Sequence, residues 1–289
     1  MRVLVFDSGI GGLGIAREIR ALMPDAAVTY LMDDAWFPYG GRDEGALVAR
    51  VLAVVGAGIA RLAPDLTVVA CNTASTSALA AVRVAFEVAF VGCVPPVKAA
   101  AAASRTRVIG VLATPATVRG PYLRGLAERH AGDCRVLIHG AAGLARLAEA
   151  RFAGAAVPGS AVRTELAGLM DQVGSGEMDA VALGCTHYGW LLEDLRAAMW
   201  PQVSWHDPAA PVARQVARVA CTLTGARAGE DGLVLRTGVD LAMGQGWEAC
   251  GFRRAERLEM GGFEGKTLFH SAWPRTMVKA EGQENGPRR

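Results

Sequence analysis

Val68-Val69-Ala70-Cys71-Asn72-Thr73-Ala74-Ser75 is the stretch that decides the fold. A short apolar run ends in a cysteine, and small polar residues then open a segment suited to starting a helix. A second copy stands at Ala180-Val181-Ala182-Leu183-Gly184-Cys185-Thr186-His187. Strand, small-residue turn and helix, in that order, form the repeating unit of a parallel α/β sheet. Two strand-end cysteines, one in each half of the chain, point to a paired-thiol site.

The same rhythm extends outward from both copies. Residues 2–6 read as a buried strand bounded by Asp7-Ser8-Gly9, followed by a helix through Ile15, Ile19, Leu22 and Met23. Residues 28–32 form the next strand and lead into a loop carrying Trp36, Tyr39 and Gly40. A long helix then presents Leu47, Val51, Val54, Gly58 and Leu62 on one face. Residues 66–70 deliver Cys71. Residues 89–94 make a fourth strand, closed by Pro95-Pro96, which cannot continue a central strand. The alternation then resumes, with strands expected at 107–113, 135–139, 179–184 and 202–206. The expected fold class is therefore α/β: two pseudo-symmetric domains with mainly parallel sheets and a site in the cleft between them. The first domain is expected to take residues 1–95 plus 209–279 and the second 96–208. Beyond Gly225 the periodicity weakens, and residues 280–289 read as a disordered tail.

Composition narrows the function classes. A chain of 289 residues is comfortable for two domains. Its net charge of +2, with no basic stripe, argues against a nucleic-acid or membrane partner. The N-terminus meets a charge and glycines too soon for a signal peptide, and no uncharged apolar run reaches about 18 residues. A cytoplasmic location is expected. Six cysteines show neither disulfide-framework density nor CxxC pairs, which argues against a secreted stapled fold and a zinc site, and no metal is expected. Cys93, Cys134, Cys221 and Cys250 read as core or incidental residues.

In open parallel sheets, ligands bind outside the carboxyl ends of the strands. Asp7-Ser8, Cys71-Asn72-Thr73, the segment from Thr114 to Thr117 and Cys185-Thr186-His187 all fall there. Helix N-termini beside Cys71 and Cys185 are expected to stabilise thiolates and to bind a carboxylate. Asn72 and Thr73 offer donors for an anion, Asp7 suits an ammonium or a thiol, and His187 is placed to tune Cys185. Taken singly, Asp7 or Ser75 reads as a helix cap, His187 as a structural histidine and Tyr39 as a turn residue. Ser8-Gly9-Ile10-Gly11-Gly12 is a loose glycine-rich loop without GxGxxG spacing or a Walker Lys-Ser/Thr, so a nucleotide is not expected. A Cys-His protease leaves the second sulfur unexplained.

Asp7-Ser8-Gly9-Ile10-Gly11-Gly12-Leu13, Pro38-Tyr39-Gly40, Cys71-Asn72-Thr73-Ala74-Ser75 and Gly184-Cys185-Thr186-His187-Tyr188 together resemble the signatures of the glutamate racemases. The similarity spans roughly residues 1–222, with a fainter match at Thr237-Gly238. The resemblance implies cofactor-independent interconversion of L- and D-glutamate, supplying D-glutamate for peptidoglycan, by a homodimer. It assigns Cys71 and Cys185 as catalytic thiols, the first acting on D-glutamate and the second on L-glutamate. It makes Asp7, Ser8, Tyr39, Gly40, Asn72, Thr73, Thr186 and His187 substrate contacts, with Thr117 and Glu149 auxiliary. Gly189-Trp190, where the family often has proline, and Ala116 in place of glycine depart from the pattern. The alternatives are a racemase of aspartate or another acidic amino acid, and a binding or regulatory protein of the same fold with little turnover.

Overall fold

The computed structural model describes residues 1–224 and 228–260. Among the described residues, ten strands run in chain order: β1 (Arg2–Asp7), β2 (Ala27–Met32), β3 (Leu66–Val69), β4 (Ala89–Gly92), β5 (Val108–Ala113), β6 (Arg135–Gly140), β7 (Ala180–Gly184), β8 (Ser204–His206), β9 (Leu233–Arg236) and β10 (Arg254–Arg257). They form a six-stranded sheet ordered β10-β9-β2-β1-β3-β4 and a four-stranded sheet ordered β6-β5-β7-β8. Every strand pair in both sheets is parallel.

Parallel sheets bury both faces, so their central strands read as unbroken apolar runs. Val3 and Val5 of β1 enter one core while Leu4 and Phe6 enter the other. This period of two also fixes the cysteines. Cys71 continues the phase of Val69 in the core that holds Leu4 and Phe6. Cys185 continues the phase of Val181 and Leu183 in the second sheet.

The helix Leu13–Leu22 buries Leu13, Ile15, Ala16 and Ile19. Leu22, expected on that inner face, is instead half exposed at the last turn. The helix Glu44–Leu62 begins at Asp43, whose carboxylate accepts the Ala46 N–H at 3.0 Å, and ends at left-handed Ala63. Among the described residues it is the one helix long and apolar enough to cross a membrane. Its Leu47, Val51, Val54, Val55 and Gly58 face the six-stranded sheet, and Arg50 interrupts its surface to pair with Asp33. About a quarter of its apolar window, 28%, is buried against that sheet.

After β8, the helix Ala209–Ala220 places Val212, Ala213 and Val216 in the core shared with Ile15 and Ile19. On that basis we propose residues 1–95 with 209–260 as one unit and 96–208 as the other. Residues 261–279 and the expected tail 280–289 lie outside the described residues. β9 and β10, where the periodicity had weakened, extend the first sheet beyond β2. Each is four residues long, and β9 pairs with β2 some two hundred positions earlier, so neither leaves a strong local pattern.

Candidate active site

The C-terminal ends of β1, β3, β5 and β7 converge on one cavity of about 230 Å³. Ser8, Tyr39, Gly40, Cys71 and Thr73 line it from the first half of the chain. Thr114, Ala142, Ala145, Arg146, Cys185 and His187 line it from the second. Asp7, Asn72, Thr117, Glu149 and Thr186 each adjoin a lining residue, in sequence or through a hydrogen bond. A larger cavity of about 420 Å³ opens near Arg2, Thr29, Arg61 and Glu230, towards the opposite ends of β1 and β2. Its described lining includes no cysteine or histidine, whereas the smaller one has two thiols, and ligands of parallel sheets bind at the carboxyl ends.

Cys71 sits at the N-cap of the helix Asn72–Ala85, with Ser8 Oγ 3.8 Å from its sulfur. The helix N-terminus was expected to favour the thiolate. Burial instead pushes the Cys71 thiol well up, and the Asp7 carboxyl adds to the shift, outweighing the Ala74 N–H. Asp7 is itself held high by burial, partly offset by the His187 charge, the Gly9 N–H and the Thr186 hydroxyl. Gly9 N–H donates to Asp7 Oδ1 at 3.0 Å and Thr186 Oγ1 to Oδ2 at 2.9 Å.

Cys185 follows β7 and sits at the N-cap of the 3₁₀ segment Thr186–Leu191. Its partner is His187, whose Nδ1 lies 3.9 Å from Sγ. His187 Nε2 meets Glu149 Oε1 at 2.9 Å, and that same oxygen accepts the Ile10 N–H at 2.8 Å. Burial opposes a charge on His187. Its contacts with Cys185 and Glu149, and the nearby Asp7, nevertheless raise it well above the usual histidine value. The loose sequence match at Glu149 thus stands on a specific contact.

The glycine-rich loop has a steric reason. A Cβ on Gly9 would stand 2.2 Å from Glu149 Oε1, and one on Gly11 would stand 2.4 Å from His187 Nδ1. The loop is bare so that the two halves can touch there, which replaces the phosphate-loop alternative. A second contact across the cleft joins hydroxyls: Thr73 Oγ1 lies 2.9 Å from Thr114 Oγ1, which lies 3.0 Å from Thr117 Oγ1.

Other expected residues divide into facing and supporting groups. Tyr39 lines the cavity, and its hydroxyl donates to Asp33 Oδ2 at 2.5 Å. Asn72 Oδ1 accepts from Cys93 Sγ at 3.4 Å, while its buried Nδ2 has no hydrogen-bond partner among the described residues. An amide donor in that state is suited to an acceptor from a ligand. Tyr188 anchors the segment by donating to the carbonyls of Ala113 at 3.1 Å and Ala141 at 2.6 Å. Sequence reading missed Asp33 and Arg146. Asp33 fell in a loop noted only for its special residues, and Arg146 lies on a helix face whose direction needs the tertiary fold. Cys93 and Cys250 are buried, Cys134 is half-buried and Cys221 is exposed.

The model of the Asp/Glu/Hydantoin racemase family matches residues 14–216. The chain belongs to this family. Among racemase relatives, the glutamate racemase of Granulibacter bethesdensis is 51% identical over 270 residues, covering 89% of this chain and 96% of the relative. The glutamate racemase of Sinorhizobium medicae is 46% identical over 215 residues, covering 74% and 79%. The crystal structure of Escherichia coli glutamate racemase, in complex with L-glutamate and the activator UDP-MurNAc-Ala, is 36% identical with a TM-score of 0.79. That match covers 89% of this chain and 97% of the other.

Proposed function

We propose that this racemase interconverts L- and D-glutamate without a cofactor, through Cys71 and Cys185 as paired acid and base. The observation that carries the reading is the opening of both thiols, from different sheets, into one cavity. The glutamate racemases it resembles over most of their length support the substrate.

In the direction from L-glutamate, the Cys185 thiolate takes the Cα proton and becomes a thiol. The C–H electron pair moves onto Cα and into the adjoining carboxylate. The Cys71 thiol then delivers its proton to the opposite face and becomes a thiolate, which inverts the centre. The reverse reaction swaps the two roles. The protonated state that burial favours at Cys71 suits it as the acid here. His187, whose pKa is raised by its contacts with Cys185 and Glu149, stands beside the sulfur that must carry negative charge as the base. Asn72, Thr73 and Thr117 with the backbone of Tyr39-Gly40 provide donors for the substrate's carboxylates, and Asp7, Ser8 and Thr186 align the Cys71 side. D-glutamate then feeds peptidoglycan synthesis, with the enzyme a cytoplasmic homodimer.

Aspartate is the second reading, because the matched family's description includes it. Incubating the pure protein with L-glutamate, and separately with L-aspartate, in deuterium oxide decides between them. Racemisation with Cα-deuterium incorporation is expected on glutamate. Exchange on aspartate alone would transfer the activity, and exchange on neither would sink the racemase reading.

A further inference from the structure

The cavity wall has a strongly uneven charge distribution. Of its lining side chains, Arg146 is the one arginine or lysine. It is exposed, on the helix Leu144–Phe152, one turn before Glu149 and therefore on the same side of that helix. The small residues Ala142 and Ala145 line the wall with it.

Arg146 takes part in none of the ion pairs among the described residues. Its helix neighbour Arg151 is held by Asp194, and Arg50 beyond the opposite wall is held by Asp33. The Glu165 carboxylate beside the start of this helix is used by the Gly143 N–H at 2.8 Å. An arginine left unpaired at the rim of a site contributes little to folding stability. Its field is available to ligands instead, focused by the low-dielectric walls of the cleft.

The substrate class supplies the complementary charge. An acidic amino acid carries two carboxylates and one ammonium, a net negative charge. Behind the cavity wall Glu149 is paired with His187, and Asp7 accepts from Gly9 and Thr186, so these interior carboxyls already have partners. The approaching amino acid therefore meets Arg146 as the lining cation with no ion-pair partner among the described residues.

We propose that Arg146 is the capture residue of this site, drawing the net-negative amino acid into the mouth before it reaches the two sulfurs. This rests on the acidic-amino-acid reading above. Arg146 is a recruiting group and does not touch the reacting carbon. Its contribution lies in kcat/KM at low ionic strength and vanishes once salt screens the approach.

The test is the ionic-strength dependence of glutamate racemisation by wild type, Arg146→Gln and Arg146→Glu, followed by polarimetry. At low salt Arg146→Gln is expected to lower kcat/KM about five- to tenfold and Arg146→Glu further still. All three should converge near 1 M salt with kcat unchanged, and Arg146→Lys should restore most of the wild-type salt slope. Equal salt slopes in wild type and Arg146→Gln would overturn the proposal. So would a loss of kcat that salt does not relieve, which marks a structural role. Either result leaves glutamate turnover in the wild type intact, so failure here is distinct from failure of the functional reading.

Discussion

The two thiols occupy topologically matching places and chemically different ones. Each follows a strand of a parallel sheet and each is almost fully buried. Around Cys71 stand a hydroxyl and a carboxyl, Ser8 and Asp7, and burial keeps the sulfur protonated. Beside Cys185 stands an imidazole whose contacts with Cys185 and Glu149 raise its pKa against the opposing effect of burial. A helix N-terminus is present at Cys71, yet it does not prevail: the field of a few partial charges is smaller than the desolvation of a whole one. The difference teaches that pseudo-symmetry of backbone does not carry over to electrostatics. One sulfur has a hydroxyl and a carboxyl beside it, the other an imidazole.

The comparison breaks most completely if either sulfur is dispensable. Cys71→Ser and Cys185→Ser should each lower racemisation by about 10³-fold or more, since acid and base act on opposite faces of one carbon. Near-normal polarimetric turnover in either variant removes the two-base assignment.

The asymmetry itself is sharpened by changing the neighbours. His187→Gln removes the imidazole beside Cys185 and should reduce kcat by about 10²-fold, while Ser8→Ala, which removes a weak contact to Cys71, should stay within about tenfold. Similar losses in the two variants would mean that the two sides are equivalent after all.

A smaller effect separates them in stability. The folded pKa of His187 is raised, so its protonation stabilises the fold fully below the unfolded value of about 6.5. That contribution is lost as pH rises through the folded value. Urea midpoints should therefore fall as pH increases above neutrality, and less steeply in Glu149→Gln, which lacks one of the groups raising the pKa. Identical pH profiles would show that Glu149 does not stabilise the cation.

The smallest change concerns scaffolding. Tyr188→Phe removes a hydroxyl that holds two buried carbonyls and should cost about 1–2 kcal/mol by chemical denaturation, with both thiols still in place. A neutral result would mean that the carbonyls find other donors.

Much of this architecture is legible in local pattern. The apolar runs before Cys71 and Cys185 have the composition of strands buried on both faces, and the phase of two along each strand assigns its sulfur to a core. Pro95-Pro96 falls where the chain leaves the first sheet, between the end of β4 and the start of β5. By contrast, β9 and β10 are four residues each and owe their strand state to pairing with β2 and with each other. Gly9 and Gly11 were visible as flexible points, but the reason for them, the approach of Glu149 and His187, is visible only in three dimensions.

The sequence by itself determined the alternation of strands and helices, the strand-end position of both sulfurs and the class of polar residues around them. Hydrophobic period and turn chemistry act over a few neighbouring residues and survive in the order of the letters. Tertiary structure alone decided which of those groups meet. The Ile10–Glu149 and Asp7–Thr186 hydrogen bonds join residues 139 and 179 positions apart, and they make one cavity out of two half-sites. It also reversed the expected effect at Cys71, because desolvation depends on the whole surrounding volume and not on the helix that begins at the residue.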